Sequence, residues 1–200
     1  MEGSGKPATE TVGFARIVAF TDGVFAIAIT LLVLSLDVPP DLHASELTDY
    51  LVDSWRQLFS YFLSFAVIGR YWLGHHRLFE MLGDFDRGLM AINLAYLSLI
   101  VLVPFPTELL GEYGSRAAAV IPYAVVLGTA SLLSWAMLHY ALHRGHIKPE
   151  KRAEAVGGRR ASLQPAIVFY VSIPVSLVSP GAAQLVWLGL LLGGRPSSKS

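Results

Sequence analysis

From Gly13 to Val38 the chain reads GFARIVAFTDGVFAIAITLLVLSLDV. Gly23 to Leu36 is an uninterrupted run without a charged residue. A helix that is apolar on every side is buried in protein or in lipid. The first half of the same stretch carries Arg16 and Asp22. Charge at membrane depth costs about 2.5–3.5 kcal/mol even on insertion scales, so each of these groups needs partners. The stretch is therefore expected to form a first transmembrane helix, with a polar lock at its cytoplasmic end and an apolar shaft beyond.

The rest of the chain fits that reading. Hydrophobic residues make up 54% and charged residues 15%. The charged share is well below the roughly 25% of soluble proteins. The charges cluster between apolar blocks, so the chain reads as a polytopic protein of the lipid bilayer. The formal net charge of +0 gives no indication of a nucleic-acid partner. There is no cysteine, which excludes disulfides, thiolate metal sites and cysteine nucleophiles. Residues 1–12 are expected to be a polar tail, not a cleavable signal, because Arg16 and Asp22 interrupt the apolar run that follows.

The fold class expected is an all-α membrane protein with six transmembrane helices in one domain, 13–194, and a C-terminal tail, 195–200. The predicted spans are 13–36, 54–82, 87–110, 116–144, 161–178 and 182–194. Pro39 and Pro40 stop the first span, since consecutive prolines cannot continue a helix. Pro104 and Pro106 are expected to kink the far end of the third. The apolar stretch 161–194 would be roughly 51 Å long as one helix, too long for a single crossing. Ser179-Pro180-Gly181 divides it. The loop 37–53 holds five acidic residues and no Lys or Arg, whereas 145–160 is rich in both. Lys and Arg mark the cytoplasmic side, so both termini are expected inside.

On the first helix Ile27, Thr30 (or Leu31) and Leu34 share a face, with Gly23, Ala26 and Ala28 as small neighbours. This spacing fits a packed helix–helix seam as well as it fits an apolar constriction, and spacing alone does not separate the two. Arg16 and Asp22 are six apart and do not face each other along one helix. Candidate partners at the same end are Trp72, His75, His76, Arg77 and Asn93. A cluster of Arg16, Asp22, Trp72, His75 and Asn93 is open to two readings: a structural clamp, or a proton- or ion-sensing site built on a histidine. Adjacent His75 and His76 point about 100° apart and do not readily share a metal ion. No HExxH spacing or GxSxG elbow is present, so neither a metal centre nor a catalytic residue is expected and the chain is not read as an enzyme.

Arg16-Ile17-Val18-Ala19-Phe20-Thr21-Asp22 resembles the Arg-x-x-x-Phe-Ser-Asp signature of the endosomal/lysosomal potassium channels of the transmembrane-protein-175 type. Trp72 to Phe79 is similar to that family's Trp-x-x-His-x-x-x-Phe, and Asn93-Leu94 and Pro104 also follow its pattern. Thr21 stands where the signature has Ser. The resemblance covers roughly residues 14–110, and the single six-helix unit is like that of bacterial members. It implies a homotetramer with the first helix of each subunit lining a central pore. It places a hydrophobic constriction at Ile27, with further pore layers at Thr30 and Leu34. It also implies a structural network of Arg16, Phe20, Thr21, Asp22, Trp72, His75 and Asn93. No TVGYG filter and no Arg-rich voltage sensor is present.

The expectation is a potassium-permeable cation channel of a bacterial plasma membrane. Potassium would be present only in transit, with no cofactor. Acidic residues such as Asp37 and Asp41 would concentrate cations at the outer mouth. The alternative is a proton-linked secondary transporter using Asp22 and His75. Such proteins usually show internal repeats, and none is visible here.

Overall fold

The computed structural model describes residues 8–36 and 38–192, with side chains from 13 to 189 apart from 37. It is helical throughout. α1 (Ala8–Leu31) tightens into a 3-10 turn, Leu32–Ser35, and the chain leaves the helix at Leu36. A short α2 (Leu47–Asp53) leads through Ser54 into α3 (Trp55–Met81). α4 (Arg87–Leu102) and α5 (Pro104–Tyr113) follow, then α6 (Ala117–Arg144). A 3-10 turn precedes α7 (Arg152–Gly158), and another precedes α8 (Gln164–Val178). α9 (Pro180–Leu192) ends the described chain.

Local chemistry explains the boundaries. Asp86 is extended (φ −109°, ψ 175°) and its Oδ1 accepts the Leu89 amide at 2.8 Å, which caps α4. Pro104 has no N–H, so the Ile100 carbonyl loses its regular helical donor. The Val103 amide replaces it at 3.2 Å, and the chain bends there. α6 ends at Gly145 with φ 75°, the left-handed position that glycine takes without steric cost. Between α8 and α9 one extended residue, Ser179, makes the break.

α6 is the hub. It packs on α4, α5 and α8, and α9 lies against α8. Tyr123 of α6 stacks on Trp187 of α9 at 4.9 Å, and Phe169 of α8 closes the cluster. The Trp187 Nε1 donates to Ser172 Oγ at 2.9 Å. A second polar node joins three helices: Thr107 donates to Ser64 at 2.8 Å, and Ser64 meets the Tyr123 hydroxyl at 3.0 Å. Interhelical hydrogen bonds of this kind hold helices together where no hydrophobic force distinguishes protein from lipid. α1 sits at the edge, touching α3 and α4 with one side only.

Four stretches among the described residues are long and apolar enough to cross a membrane: Gly13–Ser35, Arg87–Tyr113, Ala117–Arg144 and Ala161–Val178. The protein is therefore a multi-pass membrane protein. α3 has the length, but Arg56, Arg70, the His75-His76-Arg77 run and Glu80 make it more polar than those four. The predicted boundaries need four adjustments. α1 begins at Ala8, inside the expected tail. The third span continues past residue 110 to Tyr113, with its expected bend at Val103. The loops read at 37–53 and 145–160 each contain a short helix, α2 and α7. Residues 195–200, with Arg195 and Lys199, and the end of the sixth span from 193 lie outside the described residues.

Candidate functional site

α1 has two faces with different fates. Thr21, Phe25, Ala28, Leu32 and Ser35 recur at alternating spacings of four and three, and all are buried against the bundle. Phe20, Ile27 and Leu34 recur at seven and point the other way, with exposures of 55%, 57% and 71%. Thr30 lies on this outward face and Leu31 is half-buried. Gly23 and Ala26 are also outward, whereas Ala28 belongs to the inner face. The Thr30 hydroxyl donates to the Ile27 carbonyl one turn back at 2.8 Å. Its proton is thereby fixed along the helix, and its oxygen remains free to accept.

Behind the inner face lies the polar lock. Trp72 Nε1 donates to Asp22 Oδ1 at 2.9 Å, tying α3 to α1. Asn93 of α4 donates through Nδ2 to Thr21 Oγ1 at 3.2 Å. Its Oδ1 lies 2.8 Å from His75 Nε2. An amide oxygen only accepts, so His75 carries its proton on Nε2. The imidazole is 3% exposed. It stacks on Phe79 at 4.1 Å and on Tyr96 at 5.4 Å, with Phe25 at 5.8 Å. The Trp72 indole, the His75 Nε2 and the Asn93 amide are each hydrogen-bonded in this row, and three helices meet in it.

Arg16 and Phe20 do not join the lock. Arg16 is exposed and has no ion pair or side-chain hydrogen bond among the described residues. Helical geometry explains this. Arg16 and Phe20 are four apart and share the outward face with Ile27, while Thr21 and Asp22 turn toward α3 and α4. His76 leaves the lock as well, pairing with Glu80 at 3.3 Å on the exposed side of α3. Asp41 is exposed, and Asp37 lies outside the described residues. No group of three or more His, Cys, Asp or Glu among the described residues is arranged to hold a metal ion.

The structure also contains a polar junction that sequence reasoning passed over. Tyr140 of α6 donates to Asp86 Oδ2 at 2.8 Å. His146 Nε2 lies 3.1 Å from the same oxygen, at ion-pair distance but off the line of a hydrogen bond. The backbone of 145–148 is laced to the end of α3: the Gly83 amide donates to the His146 carbonyl at 2.7 Å, and the Lys148 amide donates to Met81 O at 2.9 Å. The Leu89 amide, and then Tyr140 and His146, hold the Asp86 carboxyl down to about 2. Gly88 is required here, because a β-carbon at that position would collide with the Tyr140 hydroxyl. The sequence signal was Asp86 directly ahead of an apolar run, an N-cap pattern.

Comparison with known proteins follows from this geometry. Residues 16–104 match the family described as the endosomal/lysosomal potassium channel TMEM175. Over 187 residues the chain is 34% identical to a protein named as a potassium channel from Streptomyces collinus, covering 86% of this chain and 90% of that one. The chain belongs to the TMEM175 family. A second relative, named as a potassium channel from Chamaesiphon minutus, is 39% identical over 132 residues, covering 63% of this chain and 65% of that protein. The crystal structure of a lysosomal potassium-selective channel TMEM175 homolog from Chamaesiphon minutus superposes with a TM-score of 0.81. It shares 30% identity and covers 91% of this chain and 96% of that chain. The TMEM175 family is one of ion channels, and the match of residues 16–104 contains α1 from Arg16 onward, the lock and the Pro104 bend.

Proposed function

We propose that four copies of this chain surround a central axis with the outward face of α1 lining a pore, and that the assembly conducts potassium. The observation that carries this reading is the stripe of Phe20, Ile27 and Leu34 on α1, left uncovered by its own subunit. The relatives named as potassium channels supply the ion. Ile27 forms the hydrophobic constriction, Leu34 a second apolar ring, and Thr30 a ring of hydroxyl oxygens between them. Apolar rings of this kind gate by dewetting. Asp22, Trp72, His75, Asn93 and Thr21 act as a structural lock that sets the tilt of α1. Each is hydrogen-bonded within the subunit, which favours a fixed clamp over a proton carrier. α3 and α9 complete six spans in a bacterial plasma membrane, with both termini cytoplasmic. No cofactor is needed, and acidic groups such as Asp41 attract cations at the outer mouth.

The test is single-channel recording of the purified protein in potassium and sodium gradients. Ile27→Asn is expected to raise conductance and to lower preference for potassium. Unchanged current ratios would remove Ile27 as the constriction.

A further inference from the structure

A cavity of about 420 Å³ opens between α3, α6, α7 and the start of α8, on the side of α3 away from α1. Its size is that of a small-ligand site. Arg70 and Arg77 both line it. They are two turns apart on one helix, about 10 Å along its axis. Neither guanidinium has a carboxylate, carbonyl or hydroxyl partner among the described residues. One acid, Glu154, reaches the cavity wall, and Lys151 already holds it at 3.0 Å.

The hydroxyls sort the same way. Tyr71 and Ser131 meet at 2.6 Å, and both use the Leu127 carbonyl, at 2.8 and 2.9 Å. Ser162 is taken up by Arg159 O at 2.7 Å. The Ser134 hydroxyl has no partner among the described residues. What remains unpaired in the cavity is thus two cations and one hydroxyl, above an apolar wall that includes Leu73 and Leu138. Arginines near a helix end reach the headgroup level, where anionic groups are available to pair with them. Its planar fork matches phosphate oxygens in pairs. The cavity lies at the end of the bundle that carries the Lys- and Arg-rich 145–160 segment, the headgroup level of the inner leaflet by charge placement.

We propose that this cavity is a phosphate-binding site, in which Arg70 and Arg77 grip a phosphate group and the apolar wall takes whatever chain is attached to it. The ligand is the headgroup of an anionic phospholipid or free phosphate, and the two are separable. The inference rests on the chain being a membrane protein, not on its conducting ions.

Delipidated full-length protein is titrated in detergent with dioctanoyl phosphatidylglycerol, and separately with inorganic phosphate. Binding is followed by native mass spectrometry and by the shift in thermal midpoint. The wild type is expected to bind, and Arg70→Gln/Arg77→Gln to bind roughly thirty-fold more weakly, about five-fold for each charge. Arg70→Lys/Arg77→Lys should recover part of the loss. Gly74→Leu provides a second test, since a β-carbon there meets nothing within 4 Å and both arginines stay. The added side chain should occupy the cavity and reduce binding as much. Binding by the lipid but not by inorganic phosphate assigns a membrane lipid, and equal binding of both assigns a free anion. Equal affinity in the wild type, the double Gln variant and Gly74→Leu overturns the site, as does no binding at all. Potassium flux is measured in parallel. Loss of flux with binding intact would fail the channel reading alone.

Discussion

His75 and Asn93 are buried polar residues that serve each other, and the consequence of removing one is clear. Asn93→Leu leaves the His75 Nε2–H and the Thr21 hydroxyl without their partner, and an orphaned buried polar group costs about 1–3 kcal/mol. A lowered unfolding midpoint in detergent is the expected result, with little change in oligomer size. Asp86 makes a prediction about acidity. Its carboxyl is depressed to about 2 from an ordinary 3.8, so the folded state favours the charged form. That stabilisation is complete above the ordinary value and is lost as pH falls through about 2. A thermal midpoint that declines below pH 4 in the wild type, and declines less in Asp86→Asn, is the check. At this scale the sequence was partly readable. Trp72, His75 and Asn93 stood out as polar groups in apolar helices. Arg16 looked equally in need of a partner, yet its place on the helical wheel sends it to the face the subunit leaves open. The Asp86–Tyr140 junction was hidden because it joins residues far apart in the chain, and only folding brings them together.

The elements were more legible than their ends. Runs of apolar residues placed α1, α3, α6 and α8, and the two prolines near residue 105 marked the bend between α4 and α5. The bend also turns α5 so that Thr107 reaches Ser64 and Tyr123. Thr107→Val is expected to cost about 0.6–1.7 kcal/mol, the range for hydrogen bonds between membrane helices, read as a lower denaturation midpoint. α9 is held by Trp187 together with Gln184, whose Nε2 donates to the Gly114 carbonyl at 2.7 Å. Trp187 is wholly buried between Tyr123 and Phe169. Trp187→Ala should cost about 3–5 kcal/mol and expose α9 to proteolysis before the remaining bundle. The short helices α2 and α7 escaped notice because each is seven residues long with a mixed pattern, too brief for a period to show.

At the scale of the whole molecule, apolar side chains face outward on α1 and also on α3, α8 and α9, as lipid or a neighbouring subunit allows. Helices α6, α8 and α9 bury Tyr123, Phe169 and Trp187 among themselves. α1 turns Phe20, Ile27 and Leu34 outward. The absence of native cysteine makes the assembly easy to probe. Ile27→Cys is expected to form intersubunit disulfides under mild oxidation, visible as dimers on a denaturing gel. Ala28→Cys, buried in its own subunit, should give none. Dimers from Ala28→Cys and not from Ile27→Cys would reverse the two faces of α1. Sequence periodicity supplied both faces but could not rank them, because lipid, protein and water-filled space all accept the same greasy side chains.

In the proposed pore, the Thr30 hydroxyl, turned back onto its own helix, would bear on charge discrimination. Its hydrogen is already engaged, so a solute beside it meets bare lone pairs. Chloride would find no donor at that level, whereas a cation shedding water would find a substitute ligand. Because nothing in this collar gains or loses a proton, its preference for positive ions would be the same in acid as at neutrality.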